Sequence, residues 1–282
     1  MASNVPHDRT LSLPSELPPA PELPATWSDA LGWAPSAIQQ QQFQRLYELV
    51  LWGNQQMNLT RVTAPDAFWE KHLWDSLRGI QPFLDNHDAP HPDSPSDSQR
   101  AIDIGTGAGF PGLPMAIACP DWHVTLLDST QKKVAFVTEM LQALNIENAT
   151  PLVARAEAVG RDPQHRQRYD LALVRAVGPV AVCAEYALPL LTLGGKAVLY
   201  RGQWSPEETA QLTPVVEQLG GKIQQVDGFT TPLTQGDRHC IIVEKVTATP
   251  LQFPRDVGVP AKHPLLLPSR DLTPSPRSKP SP

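Results

Sequence analysis

At 282 residues and 41% hydrophobic content, the chain is long enough for one large α/β domain with extensions, and no apolar run is long enough to span a bilayer. Its net charge of −6 argues against a wholesale nucleic-acid binder, although the charge is uneven and leaves room for a local basic face. The first thirty residues lack a basic start followed by an apolar run, so nothing there reads as a secretory signal.

Residues 1 to 35 are proline-rich and carry a net −3, and they read as a mobile tail. Residues 36 to 99 read as a helical region closed by an acidic linker. Its first helix places Ile38, Phe43, Leu46, Tyr47 and Val50 near helical spacing. A second helix is predicted over PDAFWEKHLWDSLRGI, with Asp66 in its first turn after Pro65. The linker that follows holds Asp85, Asp88, Asp93 and Asp97 among turn-forming residues.

From residue 100 to 247 strands alternate with helices. RAIDIG, HVTLLD, ATPLVA, YDLALVRAV, KAVLYRG, KIQQVDGFT and RHCIIVEKV are the strands. KKVAFVTEMLQALN is an amphipathic helix with Val134, Val137, Leu141 and Leu144 on one face. The pattern predicts a doubly wound α/β sheet of seven strands, parallel and covered on both faces. No helix separates the last two strands, so that pair should be antiparallel. Residues 248 to 282 form a proline-rich basic segment of net +3. Cys119, Cys183 and Cys240 are far apart, odd in number and set among apolar residues, which predicts reduced core thiols and a cytoplasmic protein, with no zinc site or disulfide framework.

The strongest local signal is AIDIGTGAGFPG, a glycine-rich turn between a strand and a helix. Gly105, Gly107 and Gly109 let the backbone approach a ligand. A dinucleotide fingerprint would need glycine where Phe110 stands, and a P-loop would need a lysine that is absent. Pro111 and Pro114 remove two amides that would otherwise face a phosphate. A ligand with an adenosine and no phosphate fits better, S-adenosylmethionine being the common one. Asp128 ends the second strand, 23 positions after Gly105, where an acid receives ribose hydroxyls. With Ser129 and Thr130 it also suits a helix cap. Ala156 and Glu157 follow the third strand, at the place that lines an adenine ring, and Arg155 serves either ligand or fold. Arg175 ends an apolar strand and should meet a carboxylate or phosphate, Asp103 being one protein candidate. His72, Asp75 and Ser76 superficially offer a base, an orienter and a nucleophile. On one helix they fan out together, whereas a hydrolytic triad needs convergence from different elements.

These residues resemble the glucose-inhibited division protein B family, the small-subunit ribosomal RNA methyltransferases G, and a proline-rich cyanobacterial-type branch of it. The resemblance runs from about residue 54 to 266 and includes NLT, HLWDS, DIGTGAGFPGLP, LLDSTQKKVAF, RAE, RAV and FPRDVGVPAKHPL, the last specific to the family. It implies a class I methyltransferase sheet with an N-terminal helical extension. It also implies S-adenosylmethionine contacts at Gly105, Phe110, Asp128, Ser129, Thr130, Ala156, Glu157 and Arg175. The implied reaction methylates guanine N7 in 16S ribosomal RNA, free or in the 30S particle. Asp256 stands where the family more often has a base, and Arg201 where many relatives have lysine.

Guanine N7 has a free lone pair and no proton, so no general base is needed and no catalytic residue or metal ligand is assigned. Arg175 or Arg201 is placed to reach O6. Arg61, Lys132, Lys133, Arg255 and Lys262 are candidates for phosphate. Two other readings stand beside this one: a methyltransferase acting on a small molecule or protein, and a non-catalytic RNA-binding ribosome assembly factor. The intact glycine turn and Asp128 oppose the latter.

Overall fold

The computed structural model describes residues 30–84 and 99–265. Residues 1–29 of the expected tail over 1–35, most of the acidic linker and residues 266–282 lie outside the described residues.

Helix α1 (Ala37–Met57) begins at a capping box. Gln39 N–H donates to Ser36 Oγ at 3.3 Å and Ser36 N–H to Gln39 Oε1 at 2.9 Å. Phe43, Leu46, Tyr47 and Val50 are buried as their spacing predicts, but Ile38 is 71% exposed. It lies in the first turn, on the side away from the core. The second predicted helix is present but uneven: α2 (Pro65–Phe68), a π-turn (Trp69–Trp74) and α3 (Asp75–Gly79). In the wide turn the Asp75 amide reaches back five residues to Glu70 O, so neighbouring carbonyls are released from the i→i+4 ladder. A short α4 (Gln81–Leu84) follows.

The sheet is built from β1 (Arg100–Ile104), β2 (His123–Asp128), β3 (Ala149–Val153), β4 (Tyr169–Arg175), β5 (Leu191–Arg201), β6 (Gly221–Thr230) and β7 (Asp237–Lys245). Helices α5 (Gly112–Ala118), α6 (Gln131–Ala143), α7 (Ala156–Val159), α8 (Val180–Ala187), α9 (Pro206–Gln218) and α10 (Val259–Lys262) complete the described elements. The strand order is β3-β2-β1-β4-β5-β7-β6, with β7 antiparallel to both neighbours. This is the seven-stranded doubly wound sheet the alternation predicts. Strand β5 starts at Leu191, ahead of the predicted lysine, because an irregular stretch of the β4–β5 pairing carries Gly194 and Gly195 into the strand.

Period-two alternation divides the core. Leu171, Leu173, Val198 and Tyr200 face the N-terminal helices, α5 and α6, while Ala172, Val174, Ala197 and Leu199 face α8 and α9. The helical extension therefore shares one apolar cluster with the sheet. The three cysteines are buried, as their apolar contexts predict. Residues 249–265, in the proline-rich C-terminal segment, pack on the body. Phe253 is 3% exposed, and Arg166 donates to the carbonyls of Thr249 and Phe253 at 2.9 and 2.7 Å. Among the described residues no helix is long and apolar enough to cross a membrane.

Candidate functional site

A cavity of about 390 Å³ opens at the carboxyl ends of β1, β2 and β4, where the strand order reverses direction between β1 and β4. Crevices at this switch point are where open α/β sheets bind ligands. Of the eight residues expected to bind cofactor, Gly105, Asp128, Ser129, Thr130, Ala156 and Glu157 line it. Phe110 and Arg175 are not among the lining residues.

The glycine turn is folded tightly on itself. Gly105 sits at φ +76°, and a Cβ there would come within 2.7 Å of Val177 Cγ2, so the β1 and β4 loops interlock through a missing side chain. The amides of Gly105 and Thr106 both donate to Leu127 O, at 2.8 and 2.9 Å, and those of Gly109 and Phe110 to Thr106 O. Gly107 N–H donates to Asp128 Oδ2 at 3.0 Å. With Pro111 next, no row of free amides is left to cradle a phosphate. Asp103 is fully buried beneath the turn and takes the Gly112 amide at 2.8 Å, while burial pushes its carboxyl up to about 6.

Two carboxylates dominate the cavity. Asp128 accepts from Thr130 N–H at 2.8 Å through Oδ1 as well as from Gly107. Thr130 is the N-cap of α6 and makes no side-chain cap hydrogen bond, so Asp128 closes a turn ahead of the helix instead of capping it, and each carboxylate oxygen has a second lone pair to offer. Glu157 is only 1% exposed. Its Oε1 accepts from Gly258 N–H at 2.9 Å, Tyr186 O–H at 3.1 Å and Arg155 Nη2 at 3.2 Å. Its Oε2 is buried with no partner from another described residue. Burial alone would raise this carboxyl, but the hydrogen bonds from Gly258 and Arg155 hold it below the usual range. Tyr186 is pushed up to about 12 by burial and by Glu157, so it stays a donor. Glu157 is therefore an ionised acceptor with one oxygen unused. Tyr186, from α8, is announced by no spacing; Gly258 and Ala261 lie in the family segment FPRDVGVPAKHPL, whose pattern gives them no place at the cavity.

Beyond the cavity lies a second cluster. Arg175 donates through Nη1 to Lys71 O at 3.0 Å and Asp75 Oδ2 at 3.2 Å, and its guanidinium sits 5.7 Å from the Phe110 ring centre. The partner of Arg175 is thus Asp75, which the helix patterning never brings near it, rather than Asp103. The widened π-turn supplies the Lys71 carbonyl. His72 stacks on Phe110 at 4.8 Å, with Nε2 2.8 Å from Thr60 Oγ1 and Nδ1 3.5 Å from Arg175 Nη2. An arginine only donates, so Nδ1 is the acceptor and Nε2 carries the proton. Burial, with Arg175 and Lys71, drives His72 down to about 3. Burial raises Asp75, against the pull of Arg175 and of Arg238, whose Nε lies 3.7 Å from Oδ1. Ser76 Oγ donates to the His72 carbonyl, not to an imidazole, so no hydrolytic triad forms. Glu70, also unforeseen, is fully buried and takes Leu233 N–H, Thr234 N–H and Thr234 O–H at 2.6, 2.8 and 2.6 Å. It bolts the π-turn to the β6–β7 loop.

The phosphate candidates fare unevenly. Arg61, Lys132 and Lys262 are exposed, and Lys133 lines the cavity. Arg255 is committed to the buried Glu185, at 2.9 and 2.6 Å from its two oxygens, and so drops from the set. Asp256, the unusual acid, meets Arg161 at 2.5 Å. Arg201 donates to Gly178 O at 3.0 Å, beside the cavity wall.

Residues 39–241 match the GidB family profile, described as rRNA small subunit methyltransferase G. Three relatives bear the name Ribosomal RNA small subunit methyltransferase G. The one from Nostoc punctiforme is 54% identical over 245 residues, covering 87% of this chain and 98% of its own. The one from Trichormus variabilis is 54% identical over 251 residues, with 87% and 98% covered. The one from Synechococcus sp. strain JA-3-3Ab is 53% identical over 254 residues, with 88% and 96% covered.

Proposed function

The chain belongs to the rRNA small subunit methyltransferase G family, and from that membership we propose that it transfers the methyl group of S-adenosylmethionine to N7 of a guanine in 16S ribosomal RNA, free or within the 30S particle. The observation that carries the ligand reading is the polarity of the cavity. Its glycine turn has spent its amides internally, Tyr186 spends its hydroxyl on Glu157, and the buried carboxylates offer acceptors, above all Oε2 of Glu157. A phosphate would find no row of free main-chain amides there. An adenosine brings hydroxyl and amine donors to those carboxylates, and the cavity volume falls within the range of roughly 300–1,000 Å³ usual for small-molecule sites.

Asp128 would hold the ribose hydroxyls, Glu157 would take a donor through Oε2, and Ser129, Thr130 and Ala156 would form the walls. Gly105 lets the main chain close in. Phe110 and Arg175 lie beyond the cavity, and we assign them to the methionine end. When bound, the cofactor supplies an electrophilic methyl group. The protein's part is to position the acceptor and keep water from the reacting atoms. No side chain is required as base: His72 is neutral and both of its nitrogens are engaged. The site of action follows the substrate, the ribosome in the cytoplasm.

Mass mapping of 16S RNA modifications with and without this protein tests the reading. One methylated guanine should depend on the protein. Unchanged 16S RNA with a methylated small molecule or protein would replace the substrate class. Calorimetry giving no heat with S-adenosylmethionine at high protein concentration would favour a binding-only assembly factor.

A further inference from the structure

The chain's acidic balance hides where its unpaired cations lie. Residues 1–35 and 85–97 hold a net −3 and −4. At the carboxyl end of the sheet, around His72 and Arg175, four distant segments carry further cations. Arg61 follows Thr60, whose hydroxyl is 2.8 Å from His72 Nε2. Lys71 lends its carbonyl to Arg175 while its own side chain is exposed. Arg201 ends β5, one residue past Tyr200, which is in register with Arg175. Arg238 opens β7, and Cys240, two residues on, is in register with Tyr200.

Among the described residues Arg61, Lys71 and Arg201 meet no carboxylate within ion-pair distance. Arg238 donates to Asp237 O at 2.8 Å and, among described carboxylates, pairs with Asp75 at 3.7 Å, a carboxylate already held by Arg175 at 3.2 Å. The excess charge therefore surrounds Arg175 from both faces of the sheet. Arg238 shares the face of Asp75, and Arg201 reaches Gly178 in the loop that walls the cofactor cavity. Glu70 fixes the π-turn to the β6–β7 loop, so Lys71 and Arg238 are held at a set spacing.

We propose that Arg61, Lys71, Arg201 and Arg238 form the rim that grips the phosphates flanking the target guanine. The partner is RNA as a strand with the acceptor base turned out of its stack, since a base reaches a recessed methyl group only when unstacked. This rim rests on the methyltransferase reading above and replaces most of the phosphate candidates that sequence suggested. Cations placed this way confer backbone affinity, with specificity left to contacts on the base.

The test uses the full chain and unmodified 16S RNA made by transcription. R61Q, K71Q, R201Q and R238Q are compared with R168Q and K222Q, exposed cations at the opposite end of the sheet. RNA affinity is measured across a range of salt, with S-adenosylhomocysteine affinity alongside. Each rim variant should weaken RNA binding and lower the log–log salt slope by about 0.7, the increment for one phosphate on a single strand. The two controls should keep the wild-type slope, and R61Q, K71Q and both controls should keep cofactor affinity. Rim variants with the wild-type slope, or controls that lose as much, would overturn the rim while wild-type methylation of 16S RNA still stood. A wild-type protein that neither binds nor methylates 16S RNA would remove the parent reading and the rim together.

Discussion

The main-chain amide of Gly258 donates to the buried carboxylate of Glu157 at 2.9 Å, joining residues 101 positions apart. Through this bond the C-terminal segment becomes part of the cavity, with Ala261 contributing to its lining. Arg255 anchors the same segment by a fork on Glu185, which is fully buried.

Arg255→Ala should therefore act on stability. It leaves Glu185 buried with little but the main-chain amide of residue 255 for company. Breaking a buried pair costs about 3–5 kcal/mol, and the lower end applies because the Arg255 side chain is 25% exposed. Urea unfolding should show the loss, with weaker S-adenosylhomocysteine binding as the segment loosens. An unchanged midpoint together with weaker RNA binding would return Arg255 to the phosphate set.

Asp128→Ala should weaken S-adenosylhomocysteine by roughly 1–3 kcal/mol, the range for a lost hydrogen bond to a charged group. The same carboxylate also holds the amides of Gly107 and Thr130. Asp128→Asn keeps one acceptor oxygen and should fall between wild type and alanine in calorimetry. Wild-type affinity in both variants would remove Asp128 from the site.

The sheet was legible because its determinants are local. Apolar runs ending in Asp103, Asp128 and Arg175, and glycines at 105, 107 and 109, announce strand ends and a tight turn without knowledge of the fold. The cavity's near wall follows from those same strand ends. Its far wall does not: Tyr186 sits mid-helix among alanines, and Ala261 lies in a segment whose prolines look like a tail. The partner of Arg175 was hidden for a different reason. A π-turn inserts an extra residue into a helix that reads as regular, and only that widening aims Asp75 and the Lys71 carbonyl at the end of β4. Helical periodicity carries no signal of where such a turn falls.

Gly105→Ala separates two costs. At φ +76° a Cβ is strained by about 1–2 kcal/mol, and it also collides with Val177 at 2.7 Å. Adding Val177→Ala removes the collision and leaves the backbone strain. Urea midpoints should place Gly105→Ala lowest, with the double variant less affected relative to Val177→Ala alone. Equal losses in the two backgrounds would mean that the loops do not interlock through this glycine.

The last prediction concerns the pH dependence of chemistry. Guanine N7 is unprotonated near neutrality, so its lone pair needs no base, whereas an amine or hydroxyl acceptor would lose a proton and its rate would climb through a side-chain pKa. The imidazole nearest the acceptor side, His72, is driven to about 3, so it stays neutral throughout the working range and contributes no inflection. Asp103, raised to about 6 by burial, lies beneath the turn and outside the cavity lining, so it titrates below the working range and adds no inflection there. Single-turnover methylation with saturating RNA and cofactor should therefore be flat from about pH 7 to 9. His72→Gln should leave the profile flat, because the native ring does not titrate there. A rate that climbs tenfold per pH unit, and that loses its slope when one histidine or carboxylate is replaced, would rule out N7 as the acceptor and move the substrate to a group that must give up a proton.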